Sequence, residues 1–181
     1  MEQFDTSKAL AARAECIVSL KETTSAIIQL AEKINAHYGG EEVIVWSVLN
    51  GALVFTGQLL PHLSMPLRVD YVHATRYHRN TPSETVHWAA MPRVSVEDRH
   101  LLICDDIFDA GFTLKSVEAL AREQGAKSIA TAVMAFKERA RDATFTKPDF
   151  IALQVPDRYV FGMGMDFNGY WRNAPGIWVL P

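Results

Sequence analysis

The run Leu101-Leu102-Ile103-Cys104-Asp105-Asp106-Ile107-Phe108-Asp109-Ala110-Gly111-Phe112-Thr113 constrains the fold of this chain more than any other segment. Its first four residues are apolar without a break, the pattern of a strand buried on both faces of a parallel sheet. Asp105 and Asp106 then emerge at the carboxyl end of that strand, the edge at which ligands bind in open α/β sheets. The glycine turn that follows opens a helix, so backbone N–H groups and a favourable dipole face a bound anion. One segment thus combines carboxylates suited to hydroxyls or a metal with amides suited to a phosphate, and it reads as a sugar-phosphate site.

The remaining chain supplies a setting for such a sheet. Ser19-Leu20-Lys21-Glu22 has the form of a capping box. Ala26, Ile27, Leu30, Ala31 and Ile34 recur at helical spacing until Gly39-Gly40 stops the helix. A shorter helix is expected ahead of it, from about Ser7 to Ile17. Val43 to Val48 is a β-branched strand, broken by Leu49-Asn50-Gly51-Ala52 before a helix running to about Leu60. Leu67 to Tyr77 and Thr85 to Ala90 read as a strand and its return, and the polar tip between them is expected to be mobile. After the signature strand a helix is expected from about Thr113 to Gln124, with Leu114, Val117, Leu120 and Ala121 inward and Gly125 just past its end. Further strands are expected at Ile129 to Phe136, Phe150 to Val155, Tyr159 to Phe161 and Ile177 to Leu180. The alternation predicts an α/β fold in one domain over residues 1–181: a mainly parallel twisted sheet flanked by helices, with a strand hairpin projecting as a flap.

Composition excludes several classes of function. With 181 residues, about half of them hydrophobic, the chain buries one substantial core. A net charge of −3 offers no global attraction to nucleic acid or an anionic membrane. No apolar run is long enough to span a bilayer, and Met1-Glu2-Gln3-Phe4-Asp5 lacks the basic and apolar regions of a signal peptide. A cytoplasmic protein with no nucleic-acid or membrane partner is expected. Cys16 and Cys104, the two cysteines, fall in an expected helix and an expected buried strand without metal-ligand spacing, and read as reduced packing residues. The six histidines show no metal-ligand grouping, and His73 and His78 on the flap read as solvated rather than catalytic.

The order of apolar strand, two acids, two apolar residues, Asp, small residue, Gly, any residue and Thr resembles the phosphoribosyl diphosphate (PRPP) signature of type I phosphoribosyltransferases. Ala110 stands where that family usually has Ser or Thr, so a hydroxyl expected near the 5′-phosphate is missing while the backbone N–H remains. Leu49-Asn50-Gly51-Ala52 is similar to the pyrophosphate loop of the purine-specific members, with Asn50 in place of the usual basic residue. The amides of Gly51 and Ala52 remain available to a diphosphate oxygen. Lys137, Pro148-Asp149-Phe150, Val155-Pro156-Asp157-Arg158-Tyr159-Val160-Phe161-Gly162, Asp166 and Tyr170-Trp171-Arg172-Asn173 resemble the hypoxanthine-guanine phosphoribosyltransferases, in particular a short bacterial form. The resemblance covers nearly everything from Val43 onwards.

What the resemblance implies is specific. PRPP would be held by Asn50, Gly51, Asp105, Asp106, Asp109, Ala110, Gly111, Phe112, Thr113 and Arg172. Lys137 would face the exocyclic oxygen of a 6-oxopurine, Tyr159 would stack on the base, and Val160 would contact the purine edge through its main chain. Alone, Lys137 reads as a solvated strand-end lysine and Tyr159 as a half-buried core aromatic; in register with the signature they do not. An ammonium donor favours a carbonyl over the amino group of adenine. Asp166 matches a position associated with magnesium and the purine pocket, and Arg172 one that contacts pyrophosphate, for which a planar guanidinium fork is suited. Magnesium would be held by Asp105, Asp106 and Asp166 together with the diphosphate.

The family reaction displaces pyrophosphate from ribose C1 by purine N9, and Asp109 corresponds to the general base near N7. Tyr77 matches the flap tyrosine, with Arg76 replacing the usual Ser, and the flap would shield a cationic transition state from water. A small hood from the terminal segments and a homodimer or homotetramer are also implied. The rival readings are a xanthine-preferring enzyme and a regulator that keeps the fold as a nucleotide sensor binding RNA or DNA; the latter lacks a basic stripe and an added nucleic-acid module.

Overall fold

The computed structural model describes residues 8–9, 12–76, 86–137 and 147–180. Residues 8–9 are helical, followed by β1 (Glu15–Val18), α1 (Leu20–Tyr38), β2 (Val43–Leu49) and α2 (Ala52–Leu59), which tightens into a 3₁₀ turn at Leu60–His62. Next come β3 (Leu67–Arg76), β4 (Val86–Ala90), β5 (His100–Phe108), α3 (Phe112–Glu123), β6 (Ser128–Lys137), β7 (Phe150–Val155), β8 (Val160–Phe161) and β9 (Ile177–Val179). Six strands form one sheet in the order β4-β3-β2-β5-β6-β7, parallel except for the edge strand β4. The other three, β1-β9-β8, form a small antiparallel sheet from the two ends of the chain, the hood that the resemblance implied.

The unbroken apolar run of β5 reflects two cores, one on each face of the sheet. Leu102 and Cys104 pack on one side with Ile27, Leu30 and Ile34 of α1 and Phe55 and Leu59 of α2. Leu101 and Ile103 pack on the other with Leu114, Val117 and Ala121 of α3. Both cysteines are free; burial pushes the Cys104 thiol up to about 12, which leaves it a protonated packing group. Helix α1 starts at the expected cap: the Glu22 N–H donates to Ser19 Oγ at 3.3 Å, and the Ser19 N–H donates to Glu22 Oε2 at 2.8 Å. Asp149, in the connection entering β7, accepts from the Thr131 N–H and hydroxyl at 2.8 and 2.9 Å and so ties that strand to β6. Among the described residues no helix is long and apolar enough to cross a membrane.

Two expectations about the N-terminus are overturned. Residues 15–18 form a strand rather than the end of a helix, pairing antiparallel with Ile177–Val179. β-Branched Val18 pairs with Ile177 there and packs with Ile17 against the core, which outweighs any local helical preference. Cys16 accordingly lies on an exposed strand and not in a helix. The hairpin of β3 and β4 is present; its tip, including Tyr77 and His78, lies outside the described residues, as does the Arg76 side chain.

Candidate functional site

The carboxyl ends of the parallel strands converge on two adjoining cavities. The larger, about 550 Å³, is bounded by the turns after β2 and β5, the end of β3, and Asp166 and Arg172 from the hood side. The smaller, about 380 Å³, lies between the ends of β5 and β6 and the segment Asp157 to Val160. Asp106, Ile107, Asp109 and Asp166 line both. A ligand that spans both cavities therefore meets these four residues where they join.

In the larger cavity, Gly111 takes φ +81° at the start of α3, and a Cβ there would stand 2.7 Å from the Phe108 ring. Glycine is thus required for the turn to close under the helix N-terminus, leaving its amides facing the cavity. Asp109, Ala110, Gly111 and Thr113 all line it. Phe112 does not: it opens α3, and its carbonyl accepts from Ser116 Oγ at 3.0 Å.

Asn50 and Gly51 line the opposite wall. Gly51 is packed so closely against the signature strand that an added Cβ would fall 1.9 Å from Asp106 Oδ2. Gly164 of the hood presses on Gly51 from the other side, its own Cβ position lying 2.0 Å from the Gly51 carbonyl oxygen. The pyrophosphate-type loop, the acids and the hood are therefore locked together by two glycine contacts.

Asp105 is buried and its carboxylate accepts the Asp106 N–H at 2.9 Å, while Asp106 accepts the Ile107 N–H at 2.8 Å. Burial pushes the Asp106 carboxyl above its ordinary value, against the opposing effect of its hydrogen bonds with the Asp105 side chain and the Ile107 N–H and of the Arg172 charge. Arg172 donates to the Gly164 carbonyl at 2.7 Å and to Asp166 Oδ1 at 2.8 Å. Asp166 Oδ2 accepts the Gly169 N–H at 2.7 Å.

The smaller cavity brings together Lys137, Tyr159, Val160 and Asp166, all singled out in the sequence. Parallel pairing of Phe108 with Phe136 places the next residue of each strand side by side, and Lys137 Nζ lies 3.5 Å from Asp109 Oδ2. Lys137 is buried rather than solvated. Tyr159 is half exposed, its ring free to cover a ligand while its hydroxyl donates to the Asp166 carbonyl at 3.1 Å.

Sequence reasoning missed Asp157, Arg158 and Met165 in this cavity, although the first two lie in the motif that carried the resemblance. It also read His73 as solvated, whereas His73 is half-buried and lines the larger cavity. Parallel pairing with Leu49 sets it beside the Asn50 turn, a placement that only strand register reveals.

Comparison with known proteins agrees with this geometry. Residues 15–168 match the phosphoribosyl transferase domain. The hypoxanthine-guanine phosphoribosyltransferase of Bacillus subtilis is 33% identical over 165 residues, 91% of each chain, and that of Lactococcus lactis 30% identical over 91% of this chain and 89% of its own. Among solved structures, the hypoxanthine phosphoribosyltransferase of Trypanosoma cruzi in complex with the product IMP superposes with a TM-score of 0.86 at 27% identity, covering 93% of this chain and 95% of that one. A strand ending in paired acids, a phosphate turn and a lysine-bearing second cavity are thus found in a chain that belongs to the phosphoribosyl transferase family, with the hypoxanthine-guanine phosphoribosyltransferases as its kin.

Proposed function

We propose that the chain transfers the 5-phosphoribosyl group of PRPP to N9 of hypoxanthine or guanine, giving IMP or GMP and pyrophosphate. The observation that carries this reading is the pair of adjoining cavities with a shared wall of Asp106, Ile107, Asp109 and Asp166. PRPP occupies the larger, its 5′-phosphate on the amides of Ala110 to Thr113 and its diphosphate between Gly51 and Arg172. The purine occupies the smaller, so ribose C1 and N9 meet at the shared wall, and the reaction gains from holding both reactants in line.

Each residue then has a task. Lys137 Nζ donates to the purine O6, Tyr159 covers the ring face, and the Val160 main chain meets its edge. Asp109 accepts the proton released as the purine nitrogen attacks. Arg172 turns its guanidinium fork to the departing diphosphate. Asp105 and Asp106 offer hard oxygen donors to magnesium, and among the described residues no group of three His, Cys, Asp or Glu side chains is placed to hold a metal alone. Magnesium would be held there by Asp105 and Asp106 together with oxygens of the diphosphate. Both Asp166 oxygens are engaged, by Arg172 and by the Gly169 N–H, so Asp166 would join Asp105 and Asp106 around magnesium only where Arg172 has turned to the diphosphate. Bound in this way, magnesium supplies charge neutralisation of the leaving group.

The same reading includes self-association as a homodimer or homotetramer, supported by Leu53, Val69 and Tyr71, which are 63%, 49% and 46% exposed around α2 and β3. The deciding experiment is turnover of hypoxanthine, guanine, xanthine and adenine side by side with PRPP and magnesium. Hypoxanthine and guanine are consumed and adenine is not; preference for xanthine, or no PRPP-dependent turnover of any base, refutes the reading.

A further inference from the structure

The PRPP cavity is short of positive charge. Among the described residues lining it, Asp105, Asp106, Asp109 and Asp166 are acidic, and no lysine is present. Arg172 lines it too, already paired with Asp166. Asn50 provides a neutral amide where the pyrophosphate loop approaches the ligand. Beside Arg172 and a magnesium ion, a further side-chain donor in this cavity would strengthen the hold on a diphosphate.

His73 is in position to be that donor. It pairs in parallel register with Leu49, the residue before Asn50, so it stands on the strand next to the loop. The register between β3 and β4 shifts between His73 and Ala74, and both residues line the cavity. Such a bulge redirects side chains at a sheet end and is common beside active sites. Imidazole has an N–H donor in either protonation state and gains charge on binding a second proton.

We propose that His73 is a diphosphate-binding residue of this enzyme, a second side-chain donor of the PRPP subsite beside Arg172, standing in for the contact that a basic residue at Asn50 would supply. The inference rests on the PRPP reading above and adds to it a residue outside the signature, the loop and the hood. His73 donates from β3 to an oxygen of the diphosphate, in the cavity that Arg172 also lines. Its contribution is the same for PRPP and for free pyrophosphate, since both present that group.

The test is calorimetric titration of the purine-free protein with PRPP and, separately, with pyrophosphate, each with magnesium, on wild type, His73→Ala, His73→Gln and His73→Arg. His73→Ala is expected to weaken both ligands by the same factor, on the order of tenfold for a charge-assisted hydrogen bond. His73→Gln falls between, and His73→Arg binds at least as tightly as wild type. Hypoxanthine KM at saturating PRPP stays where it was. Unchanged binding of both ligands by His73→Ala, or an arginine variant as weak as the alanine one, overturns the proposal. The arginine variant also guards against a folding defect, since recovery of binding by a larger cation cannot come from packing alone. Wild-type protein is assayed alongside for IMP formation: failure there refutes the enzyme reading itself, whereas an active wild type with an indifferent His73→Ala refutes only the role of His73.

Discussion

Lys137 Nζ lies 3.5 Å from Asp109 Oδ2, so the lysine proposed to read the purine and the carboxylate proposed to accept its proton form an ion pair with each other. Both line the purine cavity. Entry of a 6-oxopurine places O6 in competition with Asp109 for the lysine. The carboxylate is then turned to the base. Asp109→Asn retains PRPP binding and loses turnover by about 10²–10⁴-fold, because an amide cannot take the proton. Pre-steady-state turnover together with PRPP titration checks this, and turnover within a few-fold of wild type removes Asp109 from the role.

Lys137→Ala is expected to raise the KM for hypoxanthine and guanine on the order of 10- to 100-fold, with PRPP affinity nearly unchanged. Steady-state kinetics with each substrate varied in turn separates the two effects. Normal purine kinetics in the variant would show that another donor reads O6.

Gly51→Ala places a methyl 1.9 Å from the Asp106 carboxylate oxygen if nothing moves. Overpacking of this kind costs about 1–3 kcal/mol and displaces the loop. Thermal unfolding should show a lowered Tm and titration should show lost PRPP binding. Adding Asp106→Ala to Gly51→Ala relieves the clash and recovers the Tm but not the binding. A double variant as unstable as the single one would locate the clash elsewhere.

The raised Asp106 carboxyl makes a signed prediction about pH. A folded-state value above the unfolded one means the native protein holds its proton more firmly, so Asp106 costs stability as pH rises through that range. Asp106→Asn, measured without magnesium or PRPP, should therefore have a higher urea midpoint than wild type at neutral pH. The advantage shrinks as pH falls to the ordinary carboxylate range. An advantage that grows on acidification would reverse the assignment.

Ala110 leaves its own position in the turn after β5 without a side-chain hydroxyl, while Thr113 keeps one further on. Ala110→Thr should tighten PRPP by about 1 kcal/mol if the hydroxyl meets the 5′-phosphate. Asn50→Lys should also lower the KM for PRPP, through charge. Arg172→Ala should raise it by more than either lowers it. Two gain-of-contact variants with unchanged affinity, beside an unaffected Arg172→Ala, would displace the phosphates from their assigned places.

What the sequence made legible was whatever rests on local chemistry. The apolar run ending in Asp105 and Asp106 is a central parallel strand because each alternate residue has a core to enter. The Ser19 cap and the Gly111 turn needed only their neighbours, whereas Lys137 read alone as a solvated strand end and its burial became legible only through the resemblance. Features made by distant pairing were not legible. Residues 15–18 are a strand because Ile177–Val179 lies beside them, and no local pattern announces a partner so far along the chain. His73 enters the cavity through a register and a bulge, neither of which composition encodes. Asp157 and Arg158 were in view, but their place in the purine cavity depends on how the hood sits over β5 and β6.

In the small sheet, β9 lies between β1 and β8 and is the last of the three to be synthesised. Neither outer strand has its partner until Ile177–Val179 leaves the ribosome. Strands β2 to β7, by contrast, pair among themselves and are complete by Val155. A nascent chain therefore has every strand of the main sheet before β9 joins the hood, and the cavity beside the segment Asp157 to Val160 is closed later than the sheet it leans on.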